Sequence, residues 1–234
     1  MKKWYNICGL TVCADFQHKT MTERSEKYRC DEKTADIIIP PVPLSELELL
    51  MASPGINEDS AENIYTADLF YTALLRFGGF MLHSSAVEVD GRAYLFSAPS
   101  GTGKSTHTSQ WIKLFGDKAR IINDDKPAIR FVNGEAHAYG TPWSGKSDLN
   151  INTGVPIQGI CVLERSPENF IVPLDEGTAV YSILNQTLRP KTADYMDNLL
   201  TLLDRVIVTV PVWRMGCNIS VEAAETAYKA MSHK

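Results

Sequence analysis

Residues Phe96–Thr106 read F-S-A-P-S-G-T-G-K-S-T, a run of small residues that ends on a lysine, a serine and a threonine. The run begins at the end of the apolar segment Ala93–Phe96, and it precedes a segment with helical apolar spacing that extends to Phe115. A strand, a Gly-rich turn and a helix in this order form the context of a phosphate-binding P-loop. The stretch therefore predicts a nucleotide-binding loop between a strand and a helix.

Each residue type in this loop suits a phosphate group. Gly101 and Gly103 allow the backbone to turn its N–H groups inward around an anion, and Lys104 adds a positive charge. The Ser105 hydroxyl can bind Mg²⁺, and the start of the helix adds its partial positive charge. The chain departs from the pattern G-x-x-x-x-G-K-[ST] at the first position, where it has Ala98. The predicted nucleotide-binding residues are Ser100, Gly101, Thr102, Gly103, Lys104, Ser105 and Thr106.

The composition is that of a globular protein without a strongly charged partner. Of the 234 residues, 44% are hydrophobic and 22% are charged, and the net charge is −5. This balance argues against nucleic acid and against an anionic membrane as partners, and no apolar run approaches the ~18 residues of a membrane span. The 5 cysteines include no C-x-x-C pair, and Asn6 interrupts the N-terminal run that imitates a signal peptide. We therefore expect reduced thiols and a cytoplasmic protein.

Turn signals on both sides of the loop predict a mixed sheet. Asp90-Gly91 and Asn133-Gly134 are hairpin turns between apolar segments. Strands that are joined by hairpins, and not by helices alone, indicate a sheet that is not all parallel. The sequence therefore predicts an α/β fold with a mixed β-sheet, the P-loop and flanking helices.

Several elements follow from local patterns. Segments 4–12, 80–89 and 206–210 are each expected to form one strand, and segment 17–26 a polar connection. Helices are predicted over about 60–77, 176–186, 192–203 and 220–231. We divide the chain into residues 1–79, which either extend the sheet or form a small recognition lobe, and residues 80–234, which contain the loop.

Acidic side chains follow the strand that comes after the loop. Asp124 and Asp125 lie directly beyond the apolar run Ala119–Ile122. Two carboxylates at a strand end can hold Mg²⁺ and accept a proton from a hydroxyl, and the sequence leaves open which does which. A solvated acidic turn is the alternative. His83, on the strand before the loop, is either a structural histidine or a contact for a phosphate or a carboxylate.

A turn-rich segment, Gly140–Lys146, follows the second hairpin. An aromatic ring, a hydroxyl and a lysine on one loop suit a site that meets transferred phosphate charge. The predicted substrate-binding residues are Trp143, Ser144, Gly145 and Lys146. A surface loop without a ligand is the alternative.

Taken in order, these residues resemble the kinase domain of HPr kinase/phosphorylase and, more distantly, ATP-dependent phosphoenolpyruvate carboxykinase. The resemblance consists of His83 before the loop, the S-G-x-G-K-S run Ser100–Ser105, and the pair Asp124 and Asp125 after it. It covers roughly residues 80–163 and does not extend to residues 1–79. The fold that it implies is an HPr kinase-like mixed sheet.

The resemblance implies an ATP- and Mg²⁺-dependent kinase core in residues 80–234. Its reaction would transfer the γ-phosphoryl group to a hydroxyl, either of serine in a protein or peptide or of a small molecule. Lys104, His83, Asp124 and Asp125 would be the catalytic residues, with Ser105 and, provisionally, Asp125 as metal ligands. The family also implies a homo-oligomer. The R-G-L-G type motif that accompanies phosphorolysis in the family is absent, so we do not expect the reverse activity.

Three other functions remain open. A regulatory module that binds ATP without catalysis would need no base, so the two carboxylates argue against it. An ATPase or GTPase switch would show a longer parallel series of strands and a water-positioning residue. A carboxykinase would need a further nucleotide-binding domain, for which the chain is short. The sequence does not distinguish ATP from GTP.

Overall fold

The computed structural model describes residues 1–232, which form twelve strands and seven α-helices. The strands are β1 (Lys3–Ile7), β2 (Leu10–Ala14), β3 (Ile37–Ile39), β4 (Gly79–Met81), β5 (Ser84–Val89), β6 (Arg92–Ser97), β7 (Ala119–Asp125), β8 (Ala128–Val132), β9 (Glu135–Tyr139), β10 (Gly154–Arg165), β11 (Phe170–Pro173) and β12 (Val212–Cys217). The helices are α1 (Lys19–Ser25), α2 (Leu44–Met51), α3 (Glu58–Leu74), α4 (Lys104–Phe115), α5 (Glu176–Leu184), α6 (Ala193–Thr209) and α7 (Val221–Ser232). None of these helices combines the length and the apolar character that crossing a bilayer requires.

Nine strands form one mixed sheet. Seven of them follow the order β4-β8-β9-β10-β6-β5-β7, and β12 joins β10 to β11 outside this path. Strand β10 runs parallel to both β6 and β12, whereas the other pairs in this sheet are antiparallel. The predicted mixed α/β fold is therefore confirmed.

Helices cover both faces of this sheet, because its strands carry buried apolar side chains on each face. Phe96 of β6 packs in one cluster with Trp111 of α4 and Ala227 of α7. The adjacent Leu95 packs in another cluster with Leu199 and other residues of α6. Successive side chains of a strand point to opposite faces, so β6 is buried on both sides. Its carboxyl end, where the loop begins, is thereby held in the middle of the sheet.

The N-terminal residues form a separate three-stranded sheet of order β1-β2-β3. The prediction of a single strand over residues 4–12 is wrong. Cys8 and Gly9 adopt φ values of 57° and 70° and form a hairpin turn between β1 and β2. Segment 17–26, which we expected to be a polar connection, contains helix α1. This sheet shares a hydrophobic cluster with Phe70 of α3 and with Trp143. The division of the chain between residues 79 and 80 stays a prediction.

Two other strand predictions were also wrong. Segment 80–89 forms β4 and β5 separately, because the N–H of His83 leaves the ladder and donates to the Gln186 carbonyl at 2.7 Å. Segment 206–210 belongs largely to α6, in which Leu199, Leu202, Leu203 and Val206 are buried at helical spacing. The β-branched residues at the end of this helix resemble a strand when they are considered alone.

Candidate active site

The Gly-rich loop turns sharply between β6 and α4. Gly101 and Gly103 have φ values of 79° and 123°, which side chains with a Cβ rarely adopt. The first helical hydrogen bond after the loop joins the His107 N–H to the Gly103 carbonyl at 2.8 Å. The N–H groups of the three residues between them belong to the first turn of α4, which has no intrahelical acceptors for them. The loop therefore offers backbone donors and the positive end of a helix to an anion.

Arg165, at the end of β10, holds the loop through hydrogen bonds to two of the loop's carbonyl groups. Its Nη2 donates to the Gly101 carbonyl at 2.5 Å, and its Nε donates to the Thr102 carbonyl at 3.2 Å. Strand β10 runs parallel to β6, so the carboxyl ends of both strands meet at the same edge of the sheet. The sequence analysis missed Arg165, although its position at the end of an apolar strand was a signal.

Lys104 is buried beneath the loop beside His83. Its Nζ donates to the Ala98 carbonyl at 2.9 Å and lies 3.0 Å from Nε2 of His83. Burial lowers the pKa of Lys104, against the opposing effect of the charges on Asp125 and Asp124. On its other side the His83 ring contacts Oε1 of Gln186 through Nδ1, at 2.9 Å. The ring is thus held between the loop lysine and the segment that follows α5.

Asp125 ends β7 and contacts two basic side chains. Its Oδ1 lies 3.1 Å from Nε2 of His83, and its Oδ2 accepts from Nζ of Lys126 at 2.7 Å. Burial raises the pKa of this carboxyl, but the hydrogen bond from His83 and the charge of Lys126 outweigh it and hold the pKa well below its usual range. The residue is therefore a carboxylate at neutral pH. Nε2 of His83 can either donate to Asp125 or accept from Lys104, but it cannot do both at once.

Asp125 also has a strained backbone, with φ at 103°. A non-glycine residue in this region costs on the order of 1–3 kcal/mol, and such residues cluster at functional sites. Asp125 nevertheless remains paired with Ser84 of β5, and its carboxylate contacts His83 and Lys126.

Asp124 contacts one hydroxyl group from the start of α4 and one from the segment after β9. Ser105 donates to its Oδ1 and Ser147 donates to its Oδ2, both at 2.9 Å. The residue is only 6% exposed. A carboxylate and a hydroxyl are oxygen donors of the kind that Mg²⁺ binds, and this ion usually completes its shell with water and phosphate oxygens. Within residues 1–232, no group of three or more His, Cys, Asp and Glu side chains is arranged to hold a metal ion.

The turn-rich segment after β9 packs against the two aspartates. The N–H of Gly145 donates to the Asp124 carbonyl at 2.7 Å. Arg24 of α1 holds the same segment through the carbonyls of Ser144 and Gly145, at 2.8 and 3.0 Å, and its Nε lies 3.1 Å from Asp148. The N-terminal part of the chain therefore fixes this loop beside Asp124.

Trp143 has a different environment from its neighbours in this segment. Its side chain is 0% exposed and stacks on Phe70, with ring centroids 4.6 Å apart. Its Nε1 donates to Oγ1 of Thr66 at 3.0 Å. Ser144, Gly145 and Lys146 line an open cavity, whereas Trp143 anchors them from the core.

This cavity has a volume of about 600 Å³ and lies on the side of Asp125 that faces the N-terminal sheet and its helices. Its walls come from α1, from the start of α3, from Ser100 and from Asp125 to Lys126, together with residues 144–146. We call it the acceptor-side cavity. Of the predicted site residues, the structure joins Lys104, His83 and Asp125 in one set of contacts and Ser105 and Asp124 in another, and Asp125 lines this cavity.

His107, in the second turn of α4, is buried against the core. Its Nε2 accepts from Nε1 of Trp111 at 3.2 Å, and its ring lies over Phe96 at 4.4 Å between centroids. Burial lowers its pKa to about 4 from an ordinary value of 6.5. The ring is therefore neutral at pH 7.

The burial of His107 predicts a specific loss of stability in acid. Between pH 6.5 and 4 the unfolded chain binds a proton at this residue that the folded chain does not, so the stability falls as the pH falls. We expect the free energy of unfolding to decrease by up to about 1.4 kcal/mol per pH unit more in the wild type than in His107→Gln. Urea denaturation of both proteins across this range measures the difference. Equal slopes would contradict a neutral buried ring.

The fold and the site together define a mixed α/β protein in which a Gly-rich, lysine-containing loop opens a helix beside two carboxylates. The chain belongs to the family described as SynChlorMet cassette protein ScmC, whose model matches residues 62–199, more than half of the chain. This range contains His83, the loop, both aspartates, Arg165 and Gln186, whereas Arg24 lies outside it.

Comparison with other proteins adds little beyond the family. A solved structure, the Hpr(Ser) kinase/phosphatase from Coxiella burnetii, matches with 12% identity over 65% of this chain and 99% of that chain, at a TM-score of 0.36. With so low a TM-score, we transfer no site residue from that protein. None of the curated proteins matches this chain.

Proposed function

We propose that this protein is an ATP- and Mg²⁺-dependent kinase that transfers the γ-phosphoryl group to a hydroxyl. The observation that carries the proposal is the position of Asp125. Its carboxylate contacts His83, which contacts the loop lysine, and it also lines the acceptor-side cavity. A carboxylate between an anion-binding loop and an open cavity is what transfer to a hydroxyl requires.

The phosphates of ATP would lie on the Gly-rich loop. The free N–H groups at the start of α4 suit the inner phosphates, and Lys104 suits the outer ones. Lys104 is only 7% exposed, so its charge acts in a poorly solvated environment. Electrostatic interactions are stronger there than in water.

Ser105 and Asp124 would hold the magnesium ion. The hydrogen bond between them, at 2.9 Å, supports this pair, whereas Asp125 contacts His83 and Lys126. Asp124 would thus take the metal-binding role that the family resemblance had given provisionally to Asp125. When bound, the ion would neutralise charge that develops between the β- and γ-phosphates.

Asp125 would be the base. In the reaction the bond between the γ-phosphorus and the ADP oxygen breaks, a bond from phosphorus to the acceptor oxygen forms, and the acceptor proton passes to Asp125. Its low pKa makes it a weak base. Weak basicity is sufficient here because phosphoryl transfer passes through a loose transition state that depends mainly on positioning and charge stabilisation.

The acceptor would bind in the acceptor-side cavity. Ser100 and Asp125 lie on the loop side of this cavity, and Lys146 and residues of α1 and α3 form its other walls. A volume of about 600 Å³ admits a serine side chain with neighbouring residues, or a small molecule. The acceptor class is thus the hydroxyl of serine in a protein or peptide, or of a small molecule. A homo-oligomer also remains a proposal.

Transfer of label from γ-labelled ATP tests the proposed function. Purified protein is incubated with Mg²⁺ and either serine or short serine peptides, and label on the acceptor is followed. We expect Lys104→Ala to weaken ATP binding by roughly 10- to 100-fold, because a charged hydrogen-bonding group to phosphate is lost. Lys118→Ala, which changes an exposed lysine just beyond α4, is the matched control.

The same experiment separates the kinase from a regulatory module. Label on an acceptor hydroxyl that depends on Lys104 supports the kinase. Binding of ATP that depends on Lys104, with neither transfer to any of these acceptors nor hydrolysis, would favour a module that binds ATP without catalysis. Absence of ATP binding would overturn both.

A further inference from the structure

A second cavity lies on the other side of the loop from Asp125. Its volume is about 600 Å³, and its walls come from residues 101–103, from residues 106, 107 and 110 of α4, from residues 165–167 and from residues 217–219. Pockets of about 300–1,000 Å³ bind small ligands. We call it the α4-side cavity.

The direction of a nucleotide on the loop places its nucleoside toward this cavity. In a P-loop the lysine reaches the β- and γ-phosphates, and the backbone at the helix start surrounds the inner phosphates. Lys104 and His83 contact each other on the side of Asp125. Thr106, at the opposite end of the first turn, lines the α4-side cavity. A phosphate chain that begins at Lys104 therefore ends beside this cavity.

His107 contributes a buried polar group to the same wall. The ring is 4% exposed and lines the cavity. Its Nε2 accepts from Trp111, whose indole can only donate, so the proton of the neutral ring is on Nδ1. This N–H finds no acceptor among the residues that the structure describes. This N–H is itself sealed from solvent, so His107 shapes the wall of the cavity and offers no donor to its open volume.

The mouth of the cavity is apolar and exposed. Ile219 is 80% exposed, and Pro167, on the turn after β10, also lines the cavity. Gln110 is 5% exposed and adds an amide to the inner wall. Apolar walls with a few polar groups suit a flat heterocycle that carries ring nitrogens.

We propose that the α4-side cavity binds the purine base and ribose of the nucleotide whose phosphates lie on the loop. This inference rests on the proposed function, because it takes the loop as the phosphate site. The side chain of Ile219 would cover the base. The cavity would thus give the site its preference for a nucleotide over phosphate alone.

Cys217 allows a test without any substitution. Its thiol lines the α4-side cavity and is half-buried, and Cys30, also half-buried, lies in the N-terminal part and serves as an internal control. The protein is alkylated at alkaline pH, because burial raises the pKa of Cys217, and modification of each cysteine is followed by mass spectrometry. With Mg-ATP at about ten times its Kd, we expect alkylation of Cys217 to slow about tenfold. Cys30 is expected to react at an unchanged rate, and inorganic tripolyphosphate is expected to leave both rates unchanged.

A second measurement uses the exposed isoleucine. The Kd values of Mg-ATP and of inorganic tripolyphosphate are determined for the wild type, Ile219→Ser and Lys104→Ala. We expect Ile219→Ser to weaken ATP binding by about three- to tenfold and to leave tripolyphosphate binding unchanged, because only apolar contact with the base is lost. Lys104→Ala is expected to weaken both ligands.

The outcomes distinguish this inference from the proposed function. ATP binding that depends on Lys104 but neither protects Cys217 nor responds to Ile219→Ser overturns the inference and leaves the kinase proposal standing. Equal affinities for ATP and tripolyphosphate in the wild type also overturn it. Absence of binding of both ligands overturns the proposed function and this inference together.

Discussion

Replacing Asp125 with asparagine is expected to slow phosphoryl transfer by about 10²- to 10⁴-fold, the range that a positioned base contributes. The substitution keeps the size of the side chain but removes the group that would accept the acceptor proton. Nucleotide affinity is expected to change little, because Asp125 contacts His83 and Lys126 and lies beside the loop without forming part of it. Initial rates of label transfer at saturating ATP and acceptor measure the effect.

The control for this variant is Asp117→Asn, which changes an exposed aspartate in the turn after α4. It carries the same change of charge and is expected to leave the rate unaltered. An Asp125→Asn protein that binds ATP normally and transfers phosphate at the wild-type rate would exclude Asp125 as the base. Asp124→Asn is expected instead to raise the Mg²⁺ concentration required for half-maximal rate, since this residue contacts Ser105.

The second large effect is expected from Trp143→Ala, which should reduce the free energy of unfolding by about 3–5 kcal/mol. The Trp143 ring is fully buried between Phe70 and Phe16, and its removal leaves a cavity where the N-terminal sheet meets the rest of the chain. Chemical denaturation at pH 7 measures the change. Trp143→Phe keeps most of the apolar contact and loses the hydrogen bond to Thr66, so it should cost clearly less.

This pair of variants also separates two roles for Trp143. If Trp143 binds substrate, as the sequence led us to predict, its removal would raise the KM for the acceptor without loss of stability. If Trp143 is an anchor in the core, its removal would instead lower the stability of the folded protein. Normal stability of Trp143→Ala with weakened acceptor binding would contradict the role that its burial indicates.

The central part of the site could be predicted because its signals are local. The loop, its lysine and the hairpin turns are each defined within a few consecutive residues, and so is the pair of aspartates at a strand end. The sequence left open which of Asp124 and Asp125 binds the metal and which accepts the proton. Which partner each one has depends on the pairing of β7 with β5 and on the loop at 144–147, and neither is visible locally.

The rest of the site depends on contacts between distant segments. Arg24 and Gly145 are 121 residues apart, and His83 and Gln186 are 103 residues apart. Composition and periodicity carry no information about such pairs. The burial of Trp143 escaped prediction for the same reason, since an aromatic residue in a turn-rich segment looks exposed until its partners in α3 are known.

The shared core of the N-terminal sheet and Trp143 has a consequence for synthesis of the chain on the ribosome. Strands β1 to β3 are complete by residue 39, yet the aromatic ring that completes their core is residue 143. At about 5–20 residues per second, roughly 5–20 s pass between these two points. During this interval the buried side chains of Ile7 and Val12 lack part of their packing, because α3 is made only partway through it and Trp143 only at its end. The acceptor-side cavity therefore cannot be complete until residues 144–146 have been made, well after the residues of α1 and α3 that form much of its wall.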